Sequence, residues 1–441
     1  MLKRIGSYGL EDTAVPAKDA AFPQPFSWSL EYCPPVYESW NIVHIGMLLP
    51  EAHQIYVCAD NCMRGVTMTA AEMGQSHRFH CVIVEEKDML FTNLEQVTIE
   101  GVSDVIDNLP AHPPAILVFT VCVHHFLGSD TDYIYRELEK RYPDITFIRC
   151  WMDPVMQKNH RMPDVTERAA MLDVVPEMPK NPGLVNILGA DLPHDGDSEL
   201  MELLRNQGIR VRELPGCKTY EDFLKFGEAG LNIVTYPSFR YGGERFCERM
   251  GRDMLYLPPS FSYEEIDQSL GALAQYLHAD MPDTAPLREA CERELEETRQ
   301  ALGDMPVYID YIAHTRPAGM TRLLLEHGFR VERLYIDAFS AEEEDDFRWL
   351  QANAPELMIF STIRPKLRVL PREQDRPVLA IGPKAAFYAD TPYFVNMVEC
   401  GGTWGYTGIL RLCRDMRQAA LQEKDTRDTV TRKGLGWVSL I

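Results

Sequence analysis

The sequence predicts an α/β protein with three doubly wound, Rossmann-like domains, each built on a parallel β-sheet. Short apolar runs alternate with amphipathic helical stretches almost throughout the chain, which indicates repeated β-α-β units. Several of these runs are apolar on both faces, as strands are when helices cover both sides of a parallel sheet. Two interruptions, one Pro-rich and one a long charged helix, divide the pattern into three parts.

The strands are predicted from short segments rich in β-branched and aromatic residues. They cover residues 53–58, 79–84, 115–121, 145–150, 184–189, 209–214, 231–236, 253–258, 306–311, 356–361 and 377–382. Helical segments lie between them, and those at 197–208 and 317–329 close with Gly208 and Gly328. Gly is expected where a helix ends in a left-handed residue, so both helices should stop there.

The domain boundaries follow from the two interruptions. The Pro-rich stretch 174–184 precedes a new strand, and the charged helical stretch 285–305 precedes another. We therefore predict an N-terminal domain over 1–180, a middle domain over 181–304 and a C-terminal domain over 305–441.

The charge and composition exclude several classes of protein. The chain carries 44 Lys and Arg against 66 Asp and Glu, which disfavours a large nucleic-acid footprint. No apolar run is long enough for a membrane span, and the first twenty residues lack the apolar core of a secretory signal. We therefore expect a cytoplasmic protein with reduced cysteines. The acidic run 340–347 is predicted to be the solvated start of a helix.

Four cysteines lie where predicted strands end or on irregular loops. Cys58 ends the strand at 53–58 and Cys62 comes shortly after it, Cys122 follows the strand at 115–121, and Cys33 lies in a Pro-rich loop. In this class of fold, ligands bind beyond the carboxyl ends of the strands. Thiolate sulfur is the soft ligand that iron–sulfur clusters require, although each cysteine alone is more often a small buried hydrophobe. The remaining cysteines are predicted to be buried in the core: Cys81, Cys150, Cys217, Cys247, Cys291, Cys400 and Cys413.

Neighbouring polar residues leave alternatives open. Asp60 could supply an oxygen ligand, but a turn is favoured because Asp-Asn is common in turns. His124 and His125, beside Cys122, could support the site or donate protons, and otherwise are loop or partly buried histidines. The chain has no phosphate-binding GxxxxGK[ST] loop, so we do not expect it to hydrolyse ATP itself.

At these residues the chain resembles the nitrogenase component 1 superfamily, which includes nitrogenase subunits, cofactor-assembly scaffolds and tetrapyrrole reductases. Cys33 matches the first cysteine of the family. Cys122, in TVCVHHFLGSD, matches the third, which lies in an "xSCxxxLIGDD"-like segment. VCADNC overlays the family's "HGPxGC", which makes Cys62 the better second ligand and Cys58 an extra thiol. The segments 228–239 and 247–258 resemble the middle part of the family, and 382–416 resembles its C-terminal part.

The resemblance implies three doubly wound domains around a central cleft and an oxidoreductase subunit. Electrons would come from a separate ATP-dependent iron–sulfur reductase, pass through a 4Fe–4S-type cluster on Cys33, Cys62 and Cys122, and reach a substrate in the cleft. Cys58, Asp60 or a residue of a partner chain would complete the coordination. The expected assembly is a homodimer or a heterotetramer with a paralogous subunit, without nucleic acid or membrane.

The chain also departs from the family pattern. The glycines of "HGPxGC" are replaced, and no ligands are found for the molybdenum–iron cofactor of nitrogenase. The position of its cysteine ligand falls near Tyr236, and the segment before Gly401 and Gly402 contains no histidine. Two further hypotheses follow, a scaffold for assembly of a metal cofactor and a cluster-free α/β protein that binds a ligand. The substrate is not predicted.

Overall fold

The structure is a computed structural model that describes residues 9, 12–26, 41–91, 93–153, 161–362, 364, 366, 367, 370 and 376–431. The strands, in chain order, are β1 (Ala14–Pro16), β2 (His53–Cys58), β3 (Phe79–Ile83), β4 (Ala115–Val121), β5 (Thr146–Met152), β6 (Asn181–Leu188), β7 (Arg210–Glu213), β8 (Ala229–Val234), β9 (Asp253–Tyr256), β10 (Val307–Asp310), β11 (Val331–Tyr335), β12 (Met358–Phe360), β13 (Leu379–Ile381) and β14 (Phe394–Val395).

The α-helices connect and cover these strands. They are α1 (Ile42–Leu48), α2 (Asp60–Glu72), α3 (Glu86–Phe91), α4 (Leu94–Asp107), α5 (Cys122–Phe126), α6 (Thr131–Arg141), α7 (Pro163–Asp173), α8 (Glu199–Asn206), α9 (Tyr220–Leu224), α10 (Pro237–Met250), α11 (Tyr263–Leu277), α12 (Ala285–Leu302), α13 (Pro317–Glu326), α14 (Glu344–Asn353), α15 (Pro383–Ala389), α16 (Gly405–Leu421) and α17 (Thr426–Thr431). Among the described residues, no helix is both long and apolar enough to cross a membrane.

The described part of the chain forms three separate sheets, and the predicted α/β class is confirmed. The first has the order β3-β2-β4-β5 and the second the order β7-β6-β8-β9, and all their strand pairs are parallel. The third has the order β1-β12-β11-β10-β13-β14, in which only β1 is antiparallel. These are the strand orders of doubly wound folds.

All eleven predicted strands are present, with shifts of a few residues at their ends. The sequence reading missed three others, β1, β11 and β14. Strand β11 was hidden by Glu332 and Arg333, which interrupt its apolar residues, and β14 has only two residues. The helix ends at Gly208 and Gly328 are confirmed, because both glycines have left-handed φ angles, of 68° and 74°.

The predicted domain boundaries fall between the sheets. The first sheet ends at Met152 and the second begins at Asn181, and the second ends at Tyr256 before the third begins at Val307. One apolar core nevertheless includes buried residues of both the second and the third sheet. Strand β1, within the span predicted for the N-terminal domain, pairs with the third sheet. The division into domains therefore stays a prediction.

The acidic run at 340–347 starts a helix, as predicted, but it is not wholly solvated. Glu343 is buried and accepts hydrogen bonds from the backbone N–H groups of Ala318 and Ser340, at 2.8 and 2.9 Å. Asp346 is buried and accepts from Arg316 Nη2 at 3.0 Å. The prediction of a solvated face is wrong for these two carboxylates because amides and a guanidinium replace water.

Candidate functional site

Each sheet has one crevice where the strand order reverses, and in doubly wound folds ligands bind there, beyond the carboxyl ends of the two strands. We call this place the switch point of the sheet. The observed orders put it between β2 and β4 in the first sheet, between β6 and β8 in the second, and between β10 and β13 in the third. The three switch points carry different side chains.

Thiols occupy the switch point of the first sheet. Cys58 is the last residue of β2 and is fully buried. Burial raises the pKa of the Cys58 thiol, and the charges of Cys62, Cys81 and Cys122 raise it further. The other three thiols therefore lie within electrostatic range of Cys58, although they come from α2, β3 and α5.

Cys62 and Cys122 lie in the first turns of helices, and not in loops as expected. Helix α2 begins at Asp60, so the predicted turn there is wrong: Ala59 is the N-cap, and the backbone N–H of Cys62 donates to Ala59 O at 3.0 Å. Cys122 is the first residue of α5. Burial raises the pKa of the Cys122 thiol, and the charges of Asp153 and Cys62 add to this effect. Unlike Cys58, both thiols are partly exposed.

The fourth thiol is that of Cys81, for which the sequence predicts a place in the core. It lies on β3 opposite Tyr56 of β2, is partly exposed, and contacts Thr67 Oγ1 at 3.8 Å. The sequence does contain a signal for this position, because Cys81 lies on the predicted strand that follows the strand of Cys58. Cys33 lies outside the described residues.

The donor chemistry of this group fits an iron–sulfur cluster. Soft thiol ligands are present, three of them partly exposed, at the place where the fold binds ligands. Among the described residues, however, no group of three or more His, Cys, Asp or Glu side chains is arranged to hold a metal ion.

His124 is a buried core histidine. The backbone N–H of Val121 donates to its Nδ1 at 3.3 Å, and its Nε2 lies 3.0 Å from Thr98 Oγ1, which donates to Leu94 O. Burial lowers the pKa of His124 to about 4, so the ring is neutral at physiological pH. Its hydrogen bonds explain its presence without a role as a ligand. The neighbouring His125 is exposed.

A buried polar cluster lies at the switch point of the second sheet and joins all three parts of the molecule. Arg168 of α7 donates from Nη2 to Asp191 Oδ1, after β6, at 2.6 Å, and both side chains are buried. Tyr236, after β8, donates from its hydroxyl to Glu399 Oε2 of the third unit. Asn41, just before α1, donates from Nδ2 to Glu399 Oε1 at 3.0 Å.

The sequence reading noted only Tyr236 in this cluster. Asp191 had a usable signal, because it follows the predicted strand at 184–189 in a polar segment. Arg168 and Glu399 had none, since a charged residue on a helix or in a loop is usually solvated. Burial raises the pKa of Glu399 to about 7, and the charge of Asp191 acts in the same direction.

The switch point of the third sheet is closed by the chain itself. Asp310, the last residue of β10, is buried, and its carboxylate accepts from the backbone N–H groups of Ile312, Ala313 and Ala385, at 2.9, 3.2 and 2.6 Å. Gly382, just after β13, has a φ of 102°, and a Cβ there would lie 2.3 Å from Asp310 Oδ2. The carboxylate therefore fills the place that a ligand would take.

Comparison with known proteins agrees with this architecture. A family model described as nitrogenase component 1 type oxidoreductase matches residues 52–421. A solved structure described as nitrogenase Cp1 at pH 6.5 shares 13% identity at a TM-score of 0.61, over 90% of this chain and 94% of that one. A structure described as nitrogenase Cp1 at pH 5 shares 12% identity at a TM-score of 0.58, over 90% of each chain. At such low identity the structural likeness shows the fold alone. No curated protein sequence matches.

Proposed function

Because the chain belongs to the nitrogenase component 1 type oxidoreductases, we propose that it is an oxidoreductase subunit of the electron-relay kind. Electrons from an ATP-dependent iron–sulfur reductase would reach a substrate bound between its three α/β units. The observation that carries this proposal is the placement of Cys62 and Cys122 in the first turns of the helices that follow β2 and β4, the two strands of the first switch point.

Cys62 and Cys122 are the proposed ligands on the described part of the chain, together with Cys33. They come from helices that follow adjacent strands, and their partial exposure leaves room for further ligands. Cys58, which is fully buried behind them, is the alternative second ligand. A 4Fe–4S-type cluster held there would supply one-electron storage and transfer.

The chain's own residues prepare this site. Buried Met63 and Val66 seat one face of α2 in the core, and this fixes Cys62. The hydrogen bonds of His124 to Val121 and Thr98 fix the first turn of α5, and with it Cys122. The site is thus held by packed elements, which keeps its ligands in place while electrons enter and leave.

The incomplete set of described ligands favours an assembly of more than one subunit. A second chain, either a copy or a paralogue, would bring further ligands to the exposed side of Cys62 and Cys122. This agrees with the absence of a complete metal-binding group among the described residues. A homodimer or a heterotetramer is therefore part of the proposal.

The molybdenum–iron cofactor of nitrogenase does not fit this chain. At the position where its cysteine ligand is expected, Tyr236 instead donates a hydrogen bond to Glu399, and Arg168 lies 5.0 Å from the centre of the tyrosine ring. A hydroxyl bound to a buried carboxyl group is not a soft ligand. Dinitrogen reduction on such a cofactor is therefore excluded from the proposal.

The test is anaerobic purification followed by iron and acid-labile sulfide analysis. We expect brown protein that contains both elements, and loss of most of the iron when Cys33, Cys62 and Cys122 are all changed to Ser. Cys217→Ser is the matched control, because Cys217 is also partly exposed but lies far along the chain, after β7. A colourless, iron-free wild-type protein, or iron that survives the triple change, would contradict the proposal.

Assembly of a metal cofactor on this chain is a second candidate function. The partial exposure of Cys62 and Cys122 favours it, since exposed ligands release a cluster more easily than buried ones. Incubation with an iron-free acceptor protein distinguishes the two. A scaffold transfers its iron to the acceptor within minutes to hours, whereas an electron relay keeps its iron and is reduced by the ATP-dependent reductase.

A further inference from the structure

The switch point of the second sheet brings together polar groups that the proposed cluster site does not use. Tyr236 follows β8 and is partly exposed, while Glu399, to which its hydroxyl donates, is only 8% exposed. The hydrogen bond thus connects a partly exposed tyrosine to a buried carboxyl group. In such an arrangement the hydroxyl can donate a proton, and the buried carboxyl group can replace it.

The backbone holds Glu399 in an unusual conformation. Its φ is 48°, in the left-handed region, and the next residue, Cys400, has a φ of 67°. The backbone N–H groups of these two residues donate to Ile312 O and Ala313 O at 2.7 and 2.9 Å, which ties the strained segment to the turn after β10. Strain of this kind persists where the surrounding structure fixes it, and it is concentrated at functional sites.

Buried polar atoms around the pair lack protein partners in the described part of the chain. They include Nε and Nη1 of Arg168, Oδ2 of Asp191 and Oγ1 of Thr235, although the Arg168 side chain is only 2% exposed. Buried polar atoms are nearly always hydrogen-bonded. Groups left without a partner at a switch point indicate that a polar ligand completes them.

We propose that Tyr236 donates a proton to a substrate bound at the switch point of the second sheet, and that Glu399 returns the proton to Tyr236. The substrate class is a polar compound with an unsaturated bond. This inference rests on the proposed function, because the electrons come from the ATP-dependent iron–sulfur reductase.

The step is a two-electron reduction, in which a double bond A=B takes up two electrons and two protons to give HA–BH. For the first proton, the O–H bond of Tyr236 breaks and a bond to hydrogen forms on the substrate. The O–H bond of the neutral Glu399 carboxyl group breaks at the same time and restores the Tyr236 hydroxyl. Water supplies the second proton and later reprotonates Glu399, whose carboxylate accepts a hydrogen bond from Asn41 in the meantime.

The charges around Glu399 keep this proton exchangeable. Burial and the carboxylates of Asp191 and Asp164 raise the pKa of Glu399, whereas Tyr236 and the Arg168 guanidinium lower it. The result is a pKa of about 7, so both forms of Glu399 are populated near neutral pH.

One further titratable group faces Glu399. The Cys400 thiol is buried, and burial raises its pKa to about 12, so it stays neutral in this range. The titration near neutral pH therefore belongs to the carboxyl group and not to its neighbour.

The experiment is an infrared pH titration of the carboxyl C=O band on the intact protein, for wild type, Glu399→Gln and Tyr236→Phe. Glu399 and Glu343 should both contribute to the band that disappears between about pH 6 and pH 8 in wild type, and Glu399→Gln should remove the Glu399 component and leave that of Glu343. In Tyr236→Phe the Glu399 component should disappear at higher pH, because the hydrogen bond from Tyr236 lowers the pKa of Glu399.

Glu343→Gln is the matched control, since burial raises the pKa of Glu343 to about 7 as well. It should remove its own band and leave the response to Tyr236→Phe unchanged. If the Glu399 band keeps one intensity across this range, or does not move in Tyr236→Phe, the relay is overturned. Should Glu399→Gln fail to fold, the shift in Tyr236→Phe decides alone.

The outcome is independent of the cluster. Tyr236→Phe and Glu399→Gln should retain the iron content of wild type, and Cys62→Ser with Cys122→Ser should retain the titration. A lost titration in iron-containing protein overturns the relay and leaves the electron-transfer proposal standing. Iron-free protein in which Glu399 still titrates contradicts the electron-transfer proposal and leaves the relay standing.

Discussion

The first and the third sheet have the same kind of switch point but opposite contents. Beyond β2 and β4, the thiols of Cys62 and Cys122 are partly exposed and incompletely surrounded by ligands. Beyond β10 and β13, the Asp310 carboxylate accepts three backbone hydrogen bonds and leaves no room for a ligand. Topology therefore marks where a ligand could bind, and a few side chains after the strands decide whether one does.

The largest loss of stability is expected from Gly382→Ala, which crowds the closed switch point of the third sheet. The new Cβ would lie 2.3 Å from Asp310 Oδ2, and the φ of 102° is a conformation that only Gly adopts readily. Strain and overlap together should lower the free energy of unfolding by about 4 kcal/mol, measured by urea denaturation.

Gly208→Ala is the control for this change. Gly208 also has a positive φ, of 68°, but a Cβ there meets nothing within 4 Å. It should cost only about 1 kcal/mol, the usual cost of replacing Gly in a left-handed position. Equal losses for the two variants would mean that Asp310 moves aside easily and that the third switch point is not firmly closed.

A slightly smaller effect is expected from the pH dependence of the same carboxylate. Burial raises the pKa of Asp310 to about 6, above its unfolded value near 4, while backbone amides partly oppose the rise. The folded state therefore holds this proton more tightly, and its stability falls as pH rises from about 4 to about 6. In Asp310→Asn the side chain cannot ionise, so this loss of stability with rising pH should be absent.

Urea denaturation at several pH values measures the difference. Across that range, wild type should lose about 3 kcal/mol relative to Asp310→Asn, and the difference should stay constant at higher pH. Parallel pH curves for the two proteins would show that Asp310 ionises in the folded state as freely as in the unfolded state.

Alkylation compares the openness of the two regions directly. In metal-free protein, Cys62 and Cys122 should react with iodoacetamide about 100-fold faster than Cys58, which is fully buried and whose pKa burial raises. Cys400, buried beside the Asp310 turn, should be as slow as Cys58. Peptide mass spectrometry over time gives the rates. Similar rates for Cys400 and Cys122 would remove the proposed contrast.

The smallest effect concerns the support of the first switch point. Thr98→Val leaves Nε2 of His124 without its partner, which should cost about 1 to 2 kcal/mol of unfolding free energy. Iron content in the anaerobically purified protein should stay unchanged, because His124 is a core residue and not a ligand. A loss of iron without a loss of stability would instead give the histidine a role in the site.

The fold was largely predictable because its signals are local. Most strands of the first two sheets are short apolar runs, and their alternation with helices is typical of β-α-β units. Strand β11 was not predictable in this way, since two charged residues on it break the apolar run. The pairing of β1 with β12 depends on contacts between distant parts of the chain, which no local pattern contains.

The candidate site was only partly predictable. The positions of Cys58 and Cys122 after strands were visible in the sequence, whereas the helix that begins at Asp60 was taken for a turn. The buried pair Arg168 and Asp191 could not be foreseen, because burial of a charge depends on tertiary packing. Cys33, the first ligand that the resemblance implies, lies outside the described residues and stays a prediction.

The short strand β1 has a consequence for how the protein is made. Residues 14–16 complete the edge of a sheet by pairing with residues 358–360, which leave the ribosome long afterwards. Until then the early segment has no strand to join, and when β12 arrives its edge is unprotected until β1 docks. Closing of that edge is therefore a late event of biosynthesis, and the unfinished chain is the form most exposed to aggregation.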